Sequence, residues 1–570
     1  MKLKTRRKII KIFLLFLLIL LISAGLIVYN VLGPLRIFFW NTPYLFGFLG
    51  PKTYLVLLQN NNELRPTGGF ITAAAEVNFL FGFPSLTVFD SYQVPNPNPK
   101  IPAPEPFEFL IGQNDPFFAG WTFRDANFSP DFAQSSKDVM TLYKSAYPDR
   151  NIDGVIAIDF DVIEGLLKLY GPITIDDIRF DENNFFINSQ RISKDIDTHN
   201  VDELKSRKNI LQPFFQTLKS SIISSPGQYG KLSSDIYKLL REKHIMAYSS
   251  SESFQAKIEN NNFGNRVINE DLSSDFLHVN IANIGGRKAD RYVTKDIKYL
   301  ADFSNPDSMI SRLEIRLEHL GSYNIQSDIY QAYIRIYAPL NSELTGSTGD
   351  TLKSTEAGND LNLTVLADYI RLKPGETLTL SYTYKIPPRV IPEDYKLKII
   401  KQPGIQNQNW QLAVKHMNDS SMENVPNIDR DYIKFDIREN LALWRGILDQ
   451  DSYFRLFKDT DKKGPIILWQ KFIDLNTVNV RFQELVDTST ALNIANYQIS
   501  DLNKNNPTSD TVTVSKVKFE GRDLWLTISG ATGQDEEFYE LTIKDVQDFN
   551  GNIISPNPLT RTLVQRLKKK

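Results

Sequence analysis

An apolar run near the N-terminus constrains this chain more than any other feature. Residues 12–29 are apolar except for Ser23 and Gly25, and such a run is long enough to cross the hydrocarbon core of a bilayer as a helix. Six basic residues and no acidic residue lie in residues 1–11. By the positive-inside rule, residues 1–11 are predicted to be a cytoplasmic tail and everything after residue 29 to lie outside the plasma membrane.

A cleaved signal peptide is the alternative interpretation of the same run. The run exceeds an ordinary signal-peptide core and no small-x-small cleavage site closes it cleanly, which favours an uncleaved, single-pass signal anchor with the lipid bilayer as a partner. Residues 30–50 are rich in Gly, Pro and aromatic residues and are predicted to form a stalk. Trp40 and Tyr44 suit the membrane–water interface, and they equally suit packing against the first domain.

Length and charge limit the number of domains and the kinds of partner that the rest of the chain can have. A chain of 570 residues is too long for one core, which predicts three or four domains. The first eleven residues carry six positive charges and the last five carry four, so the net charge of −2 leaves about −12 for the rest. That balance argues against a nucleic-acid partner. The absence of cysteine excludes disulfides, thiolate metal sites and cysteine nucleophiles. The five histidines show no metal-binding spacing along the chain.

Residues 54–77 read YLVLLQNNNELRPTGGFITAAAEV, two apolar runs around a polar, Gly-rich connection that contains Arg65. This pattern predicts two buried strands with a candidate site at their ends. Strand and helix patterns then alternate through residue 180, and residues 180–265 have helical periodicity. We therefore predict an α/β domain with a helical insertion at residues 51–290.

In the C-terminal half, apolar and polar residues alternate over short runs, as is typical of short β-strands. Residues 291–464 predict an antiparallel β-sandwich, because period-2 runs end at Pro and Pro-Gly punctuation. Within it, residues 341–362 are rich in Gly, Ser, Thr and Asp and are predicted to be a mobile loop. Residues 465–563 follow a seven-strand rhythm and predict an Ig-like sandwich, and residues 564–570 predict a basic tail.

Two resemblances to known families cover much of the chain. The segment QNNNELRPTGGF at 59–70, with Lys288-Ala289-Asp290 and the later sandwich, resembles the bacterial envelope family named domain of unknown function 4012 over about residues 51–420. Residues 465–563 resemble the Ig-like modules of bacterial surface-layer proteins. The first family implies no established activity, and the second implies spacing or adhesion outside the cell.

A third resemblance suggests chemistry. The order of strands and the segment NIDGVIAIDFDVIEGLLKLYGPITI at 151–175 are similar to the LytR-CpsA-Psr family, over about residues 51–220. That family transfers glycan phosphates from polyprenyl-pyrophosphate carriers to cell-wall acceptors with Mg²⁺. The resemblance implies two sets of site residues. The substrate-binding set is Arg65, Gly68, Gly69, Arg124, Asn127 and Arg207. The catalytic and Mg²⁺-binding set is Asp90 and Asp125.

The residue types fit an anionic ligand. A pyrophosphate is held best by planar, permanently charged guanidinium groups, and glycines let backbone N–H groups approach it. Carboxylates supply Mg²⁺ ligands or a general base.

Structural roles stay open for each of these residues: a tight turn at Arg65, a cap at Asp90, an ion pair between Arg124 and Asp125, and a solvated helix face at Arg207. The chain also departs from the transferase pattern at Gly68 and Phe89. Two functions therefore remain. The first is an anchored envelope protein that binds or transfers polyprenyl-phosphate-linked glycans to a cell-wall polymer. The second is a non-catalytic surface scaffold or adhesin.

Overall fold

The computed structural model describes residues 32–107, 120–192, 210–285, 287–305, 309–324, 327–392, 394–406, 408–416, 422–424, 433–438, 440–458, 464–502, 512–520, 522–531, 537–548 and 551–565. The chain is mostly β-sheet, and nearly all its helical residues lie before residue 261. The α-helices of the described residues, in chain order, are α1 Thr42–Leu45, α2 Glu105–Phe107, α3 Phe132–Ala146, α4 Phe160–Tyr170, α5 Phe185–Ile192, α6 Leu211–Ile223, α7 Tyr229–Arg241, α8 Glu252–Asn260 and α9 Thr488–Ala491.

A five-stranded sheet in the order β3-β2-β1-β4-β7 organises the first domain. The strands of this domain are β1 Lys52–Asn60, β2 Phe70–Leu80, β3 Phe83–Asp90, β4 Gly154–Asp159, the hairpin β5 Ile173–Ile175 and β6 Ile178–Phe180, and β7 Ile245–Ser249. Only the β1–β4 pair of this sheet is parallel, with Gln59 opposite Asp159 at its carboxyl end. The sheet thus combines an antiparallel meander with one parallel crossover.

Helices cover both faces of this sheet. Leu55 and Leu57 of β1 share a core with α3 on one face. Leu58, pointing the other way, shares a core with α4 and α6. The period-2 alternation of β1 therefore serves two cores, which confirms a layered α/β arrangement for this part of the chain. Of the predicted helical insertion, residues 193–209 lie outside the described residues.

Two seven-stranded sheets follow, in the orders β12-β15-β10-β9-β17-β20-β19 and β13-β14-β11-β8-β16-β21-β18. Their inner faces share one large hydrophobic core. The strands are β8 Asp275–Asn283, β9 Val293–Asp302, β10 Ile310–His319, β11 Tyr330–Ala338, β12 Glu343–Thr348, β13 Glu356–Asp360, β14 Leu363–Leu372, β15 Thr377–Lys385, β16 Asp394–Ile399, β17 Asn409–Lys415, β18 Met422–Asn424, β19 Asp436–Arg438, β20 Leu441–Ile447 and β21 Ser452–Lys458.

The structure corrects three predictions about this sandwich. Its first strand, β8, lies before the predicted boundary at residue 291 and pairs with β11 and β16 inside one sheet. The sandwich is not wholly antiparallel, because β8–β16 and β9–β17 are parallel pairs. The predicted mobile loop at 341–362 contains the edge strands β12 and β13, whose exposure explains their polar, loop-like composition.

A smaller sandwich closes the described chain. A four-stranded sheet, β22-β23-β26-β25, and a three-stranded sheet, β24-β27-β28, share a second hydrophobic core. The seven strands predicted for residues 465–563 are all found, in the range from residue 467 to residue 565. They are β22 Ile467–Asp474, β23 Thr477–Phe482, β24 Tyr497–Asp501, β25 Thr513–Glu520, β26 Asp523–Ser529, β27 Glu537–Ile543 and β28 Leu559–Gln565.

The predicted transmembrane segment, residues 12–29, lies outside the described residues, as does the basic tail from residue 566. Within the described part of the chain, no helix has both the length and the apolar character needed to cross a membrane.

Two glycines meet where the first domain adjoins the large sandwich. Gly404 has a φ of +75°, and a Cβ built on it would lie 2.0 Å from the carbonyl oxygen of Gly68. Gly68, with a φ of +117°, is itself in the loop between β1 and β2. Gly404 has to be glycine because a side chain there would occupy the space of the Gly68 backbone. At Gly68 the positive φ favours glycine, and a Cβ would lie 2.8 Å from Oε1 of Gln59.

Gly404→Ala should therefore destabilise the protein more than an ordinary substitution of a left-handed glycine. Gly375 is the matched control, since its φ is +85° and a Cβ there would meet nothing within 4 Å. We expect about 1–2 kcal/mol from backbone strain in either variant, and roughly 1–3 kcal/mol more in Gly404→Ala from the close approach. Urea unfolding of both variants measures the difference, and equal losses would contradict this account of the junction.

Candidate functional site

The loop between β1 and β2 is inserted between the first domain and the large sandwich. Leu64 is 1% exposed and its side chain belongs to the sandwich core. Its backbone N–H donates to Asp290 Oδ2 at 2.9 Å, and its carbonyl accepts from the N–H of Asn283 at 2.9 Å. The carbonyl of Pro66 accepts from Asn280 at 3.2 Å. The segment from Leu64 to Pro66 thus connects two domains through apolar packing and hydrogen bonds of its backbone.

Arg65 is enclosed at the centre of this junction, with only 2% of its surface exposed. Its guanidinium lies 3.3 Å from Glu63 Oε1 and 3.4 Å from Asp125 Oδ1. It also donates to the backbone carbonyl of Asn283 in β8. Its charge is therefore compensated from within the chain, by two carboxylates and one carbonyl.

Arg124 and Asp125 adjoin the same ion cluster from a short 3₁₀ turn, Phe123–Asp125. The Arg124 guanidinium stacks on the Tyr92 ring at 4.7 Å, and its Nε lies 3.8 Å from Asp125 Oδ2. The same carboxylate accepts from Thr122 at 3.2 Å. Arg65 and Arg124 do come together as predicted, but around a carboxylate of the protein.

Asp90 has the structural role that the sequence left open. Its side chain is 2% exposed and accepts from the N–H of Tyr92 at 2.9 Å, while its own N–H donates to Gln93. This is a capping box at the start of the 3₁₀ turn Ser91–Gln93.

The arrangement of Asp90 and Asp125 does not fit Mg²⁺, which needs carboxylate oxygens directed at a shared, partly hydrated position. The oxygens of Asp125 face Arg65, Arg124 and Thr122, and Asp90 caps a turn.

The remaining predicted residues also make internal contacts. Asn127 is fully buried and donates to Thr67 Oγ1 at 3.0 Å and to the carbonyl of Gly69 at 2.8 Å. A Cβ on Gly69 would lie 2.4 Å from the backbone of Asn60. Arg207 lies outside the described residues. A substrate-binding role for these residues stays a prediction. The contacts of Asn127 with Thr67 and Gly69 hold the loop in place.

A second polar cluster lies at the carboxyl ends of the parallel strands β1 and β4. Asp159 caps α4 by accepting from the N–H of Asp161 at 3.1 Å. His244 Nδ1 lies 2.6 Å from Asp159 Oδ2 and 3.4 Å from Asp161 Oδ2. Asn61 and Gln406 donate to the two oxygens of Asp161. One donor atom from each of the two aspartates and the histidine lies within 4.8 Å of the others, so these residues could share a cation, although each already has a partner.

The proximity of these charges shifts several pKa values. Burial lowers the pKa of His244, but the Asp159 carboxylate opposes it and the net shift is upward. Burial and the neighbouring Asp159 raise the pKa of Asp161. Burial and the charge of Asp161 raise the pKa of Glu164 to about 7. Groups with shifted pKa values gathered beside a cleft mark a candidate site on physical grounds.

Such a cleft, of about 510 Å³, opens between the first domain and the large sandwich. Asn61 and Gln406, which hold Asp161, form part of its wall, together with Arg291, Lys295 and Asp296. Arg291 is exposed and lies over the Phe186 ring at 4.6 Å.

Sequence reasoning did not select this second cluster. The pair Asp159 and Asp161 directly follows a predicted strand, a signal that could have been used because parallel strands place their carboxyl ends together. His244 is 85 residues from Asp159, and no local pattern links them. The contact depends on β7 lying beside β4, which is a matter of strand order.

Comparison with protein families gives a match over part of the chain. Residues 49–190 match the family model DUF4012, described as a protein of unknown function. This confirms the predicted resemblance over those residues, a shorter range than the predicted 51–420. No match was found among curated proteins.

Two solved structures show weak similarity. The first is the N-terminal part of the bacterial S-layer protein SbsC, with 19% identity and a TM-score of 0.16. That alignment covers 18% of this chain and 23% of the S-layer chain, so this chain spans less than a quarter of its length. The second is a structure of titin domains I67–I69 in an E-to-A mutated variant, with 10% identity, a TM-score of 0.11 and coverage of 49% and 99% of the two chains. Neither likeness carries an argument about function.

Arg65→Ala should cause a large loss of stability, because it leaves the buried Glu63 and the partly buried Asp125 without their shared cation. Breaking a buried pair in this way costs about 3–5 kcal/mol. The matched control is Arg124→Ala, whose side chain is 24% exposed and whose removal should cost about 1 kcal/mol or less. Urea unfolding at neutral pH measures both, and a small effect of Arg65→Ala would contradict the structural role described here.

Proposed function

We propose that the protein is a membrane-anchored, outward-facing scaffold of the bacterial cell envelope. In this proposal residues 12–29 cross the plasma membrane once, residues 1–11 lie in the cytoplasm, and the α/β domain and two sandwiches lie outside. The apolar run and its preceding basic residues support the anchor. The resemblance of residues 465–563 to surface-layer modules supports a place in the envelope.

One observation carries the choice of a scaffold over an enzyme. Arg65, the residue best suited to hold a pyrophosphate, is 2% exposed and bonded to Glu63, Asp125 and the backbone of Asn283. A guanidinium that a substrate is to bind needs an open face, whereas one that connects two domains needs the enclosure found here. The contacts of the motif therefore favour a rigid junction that holds the domains in a fixed relation.

Binding or transfer of a polyprenyl-phosphate-linked glycan is the second candidate, and the cleft beside Arg291 favours it. Arg291 is exposed there and could pair with a phosphate. Amide groups of Asn61 and Asn62 line the same cleft and could contact sugar hydroxyls. This candidate moves the ligand from Arg65 to the neighbouring cleft at the same domain junction.

The anchor is tested by topology mapping of the full chain in bacterial cells, with a tag at each terminus. We expect the protein to stay with membranes after an alkaline wash, the C-terminal tag to be digested by protease added to spheroplasts, and the N-terminal tag to be protected. Leu18→Arg combined with Leu21→Arg should release the protein, since each charge costs about 2.5–3.5 kcal/mol at a helix centre. Leu18→Phe combined with Leu21→Phe is the matched control.

Either of two results would contradict the anchor. One is a mature chain that begins after residue 29, which would show that the run is a cleaved signal peptide. The other is a C-terminal tag that resists protease until the membrane is broken.

The choice between scaffold and glycan-lipid binding is tested with farnesyl pyrophosphate as the probe. We expect no rise in the midpoint of thermal unfolding at millimolar probe, because a scaffold has no site to be stabilised by mass action. A rise that Arg291→Ala removes would instead favour the second candidate. Arg438→Ala is the control for non-specific charge effects, since its side chain is 75% exposed in the large sandwich, in an ion pair with Asp436.

A further inference from the structure

The stalk and the tip of the β2–β3 hairpin form one apolar surface. The N–H of Phe81 donates to the carbonyl of Gly47 at 3.2 Å, and the N–H of Gly82 donates to the carbonyl of Phe46 at 2.8 Å. A Cβ on Gly82 would lie 2.8 Å from the ring of Phe48. We call this surface the tip patch, and it consists of Phe48, Leu49, Leu80, Phe81 and Phe83.

The tip patch directs large apolar side chains into solvent. Phe83 is 79% exposed and Leu49 is 76% exposed, and the other three side chains are each at least half exposed. Single exposed apolar residues are ordinary on protein surfaces, but a contiguous group of them marks an interaction site.

Backbone conformation at the hairpin tip adds an independent observation. Phe81 and Gly82 are the two residues of the turn and have φ values of +47° and +85°. Turns of this kind favour Asn-Gly, because a bulky side chain is strained at positive φ. Phe81 occupies the strained position while its ring is 62% exposed, so packing inside the protein does not compensate the strain. Burial of the ring in an apolar phase outside the protein would compensate this strain.

The position of the tip patch along the chain identifies that phase. The apolar run at 12–29 ends shortly before the stalk helix Gly33–Asn41, which spans about 18 Å as a 3₁₀-helix. Phe38 of this helix packs on Phe254 and Phe263 of the first domain. Ile37 and Trp40 remain exposed, and Trp40 is 84% exposed. Phe48 and Leu49 of the tip patch therefore follow the predicted membrane exit by the stalk helix, α1 and a turn.

Charge around the tip patch fits the same partner. The stalk helix and the residues up to 50 contain no acidic residue, and Arg36 lies on the stalk. The two acids of the β2–β3 hairpin, Glu76 and Asp90, are buried. A surface without carboxylates is not repelled by anionic lipid headgroups, and exposed Trp and Phe favour the interfacial layer.

We infer that the tip patch, with Ile37 and Trp40, inserts into the outer interfacial layer of the bilayer that anchors the chain. This inference rests on the anchor proposed above. The first domain then contacts the membrane directly. The sandwiches extend from a domain held at the membrane surface and not from a flexible linker.

The absence of cysteine from the sequence permits a direct test with single labels. Phe83→Cys in the full chain is labelled with an environment-sensitive fluorophore and reconstituted in phosphatidylethanolamine–phosphatidylglycerol vesicles. We expect emission shifted to shorter wavelength, strong quenching by nitroxide lipids and little quenching by iodide. Leu320→Cys is the matched control, because Leu320 is 64% exposed on the large sandwich, and there the pattern should reverse.

A double variant gives a second readout that does not depend on damage to the fold. Phe81→Asn with Phe83→Ser places the favoured Asn-Gly pair in the turn, so the unfolding midpoint should be unchanged or higher. A label at Leu49→Cys should then lose its nitroxide quenching. Unchanged quenching would overturn the inference.

The remaining outcomes separate this inference from the anchor on which it rests. If the chain stays in the vesicle pellet but the label at residue 83 is quenched by iodide as strongly as the control, the inference is overturned and the anchor stands. Energy transfer between labels on different copies, without nitroxide quenching, would make the tip patch a contact between copies and overturn the inference. A chain absent from the pellet overturns both.

Discussion

The first domain and the large sandwich depend on the enclosed charge of Arg65. A guanidinium with 2% exposure has lost nearly all of its hydration, and only a full set of partners can offset that loss. These partners come from two domains: Glu63 and Asp125 from the first, and the carbonyl of Asn283 from the second. Separation of the domains would remove one partner of the guanidinium and admit water to the others. Separating the two domains therefore costs free energy.

Apolar packing supplies the favourable free energy of domain association that this polar cluster does not supply. Buried ion pairs stabilise weakly compared with apolar contacts of the same volume, whereas Leu64 buries its side chain within the sandwich core. The two effects act on adjacent residues of one loop. Leu64 holds the domains together, and the directional bonds of Arg65 fix their relative orientation. The loop of Gly404 is tied to the same segment, because the side chain of Gln402 donates to the carbonyl of Arg65, and Gly404 closely approaches Gly68 there.

Local patterns in the sequence were sufficient for much of the architecture. The apolar run of β1 is a short-range signal, and the strand was predicted from it. The alternation of strand and helix patterns through residue 180 was likewise read from short windows, and the structure has it. Errors arose where the answer depends on pairing between distant strands. In strand β8 apolar residues alternate with polar ones that are buried as well. Its membership of the sandwich depends on pairing with β11 and β16, and the predicted boundary was placed after it. Strand order likewise brings His244 to Asp159, and no window of sequence contains both.

The Arg65 motif shows why residue type alone could not distinguish a ligand-binding site from a structural contact between domains. A fixed fork of N–H donors suits a phosphate, and it suits equally a pair of carboxylates with a backbone carbonyl. Flanking glycines let a ligand approach a backbone, and they also let a second loop approach it, as Gly404 approaches Gly68. What decides between these uses is the group that lies opposite, and here Asp125 and Asn283 come from other parts of the chain. An arginine between strand ends therefore predicts that anionic groups gather there, and in this fold the protein supplies those groups itself.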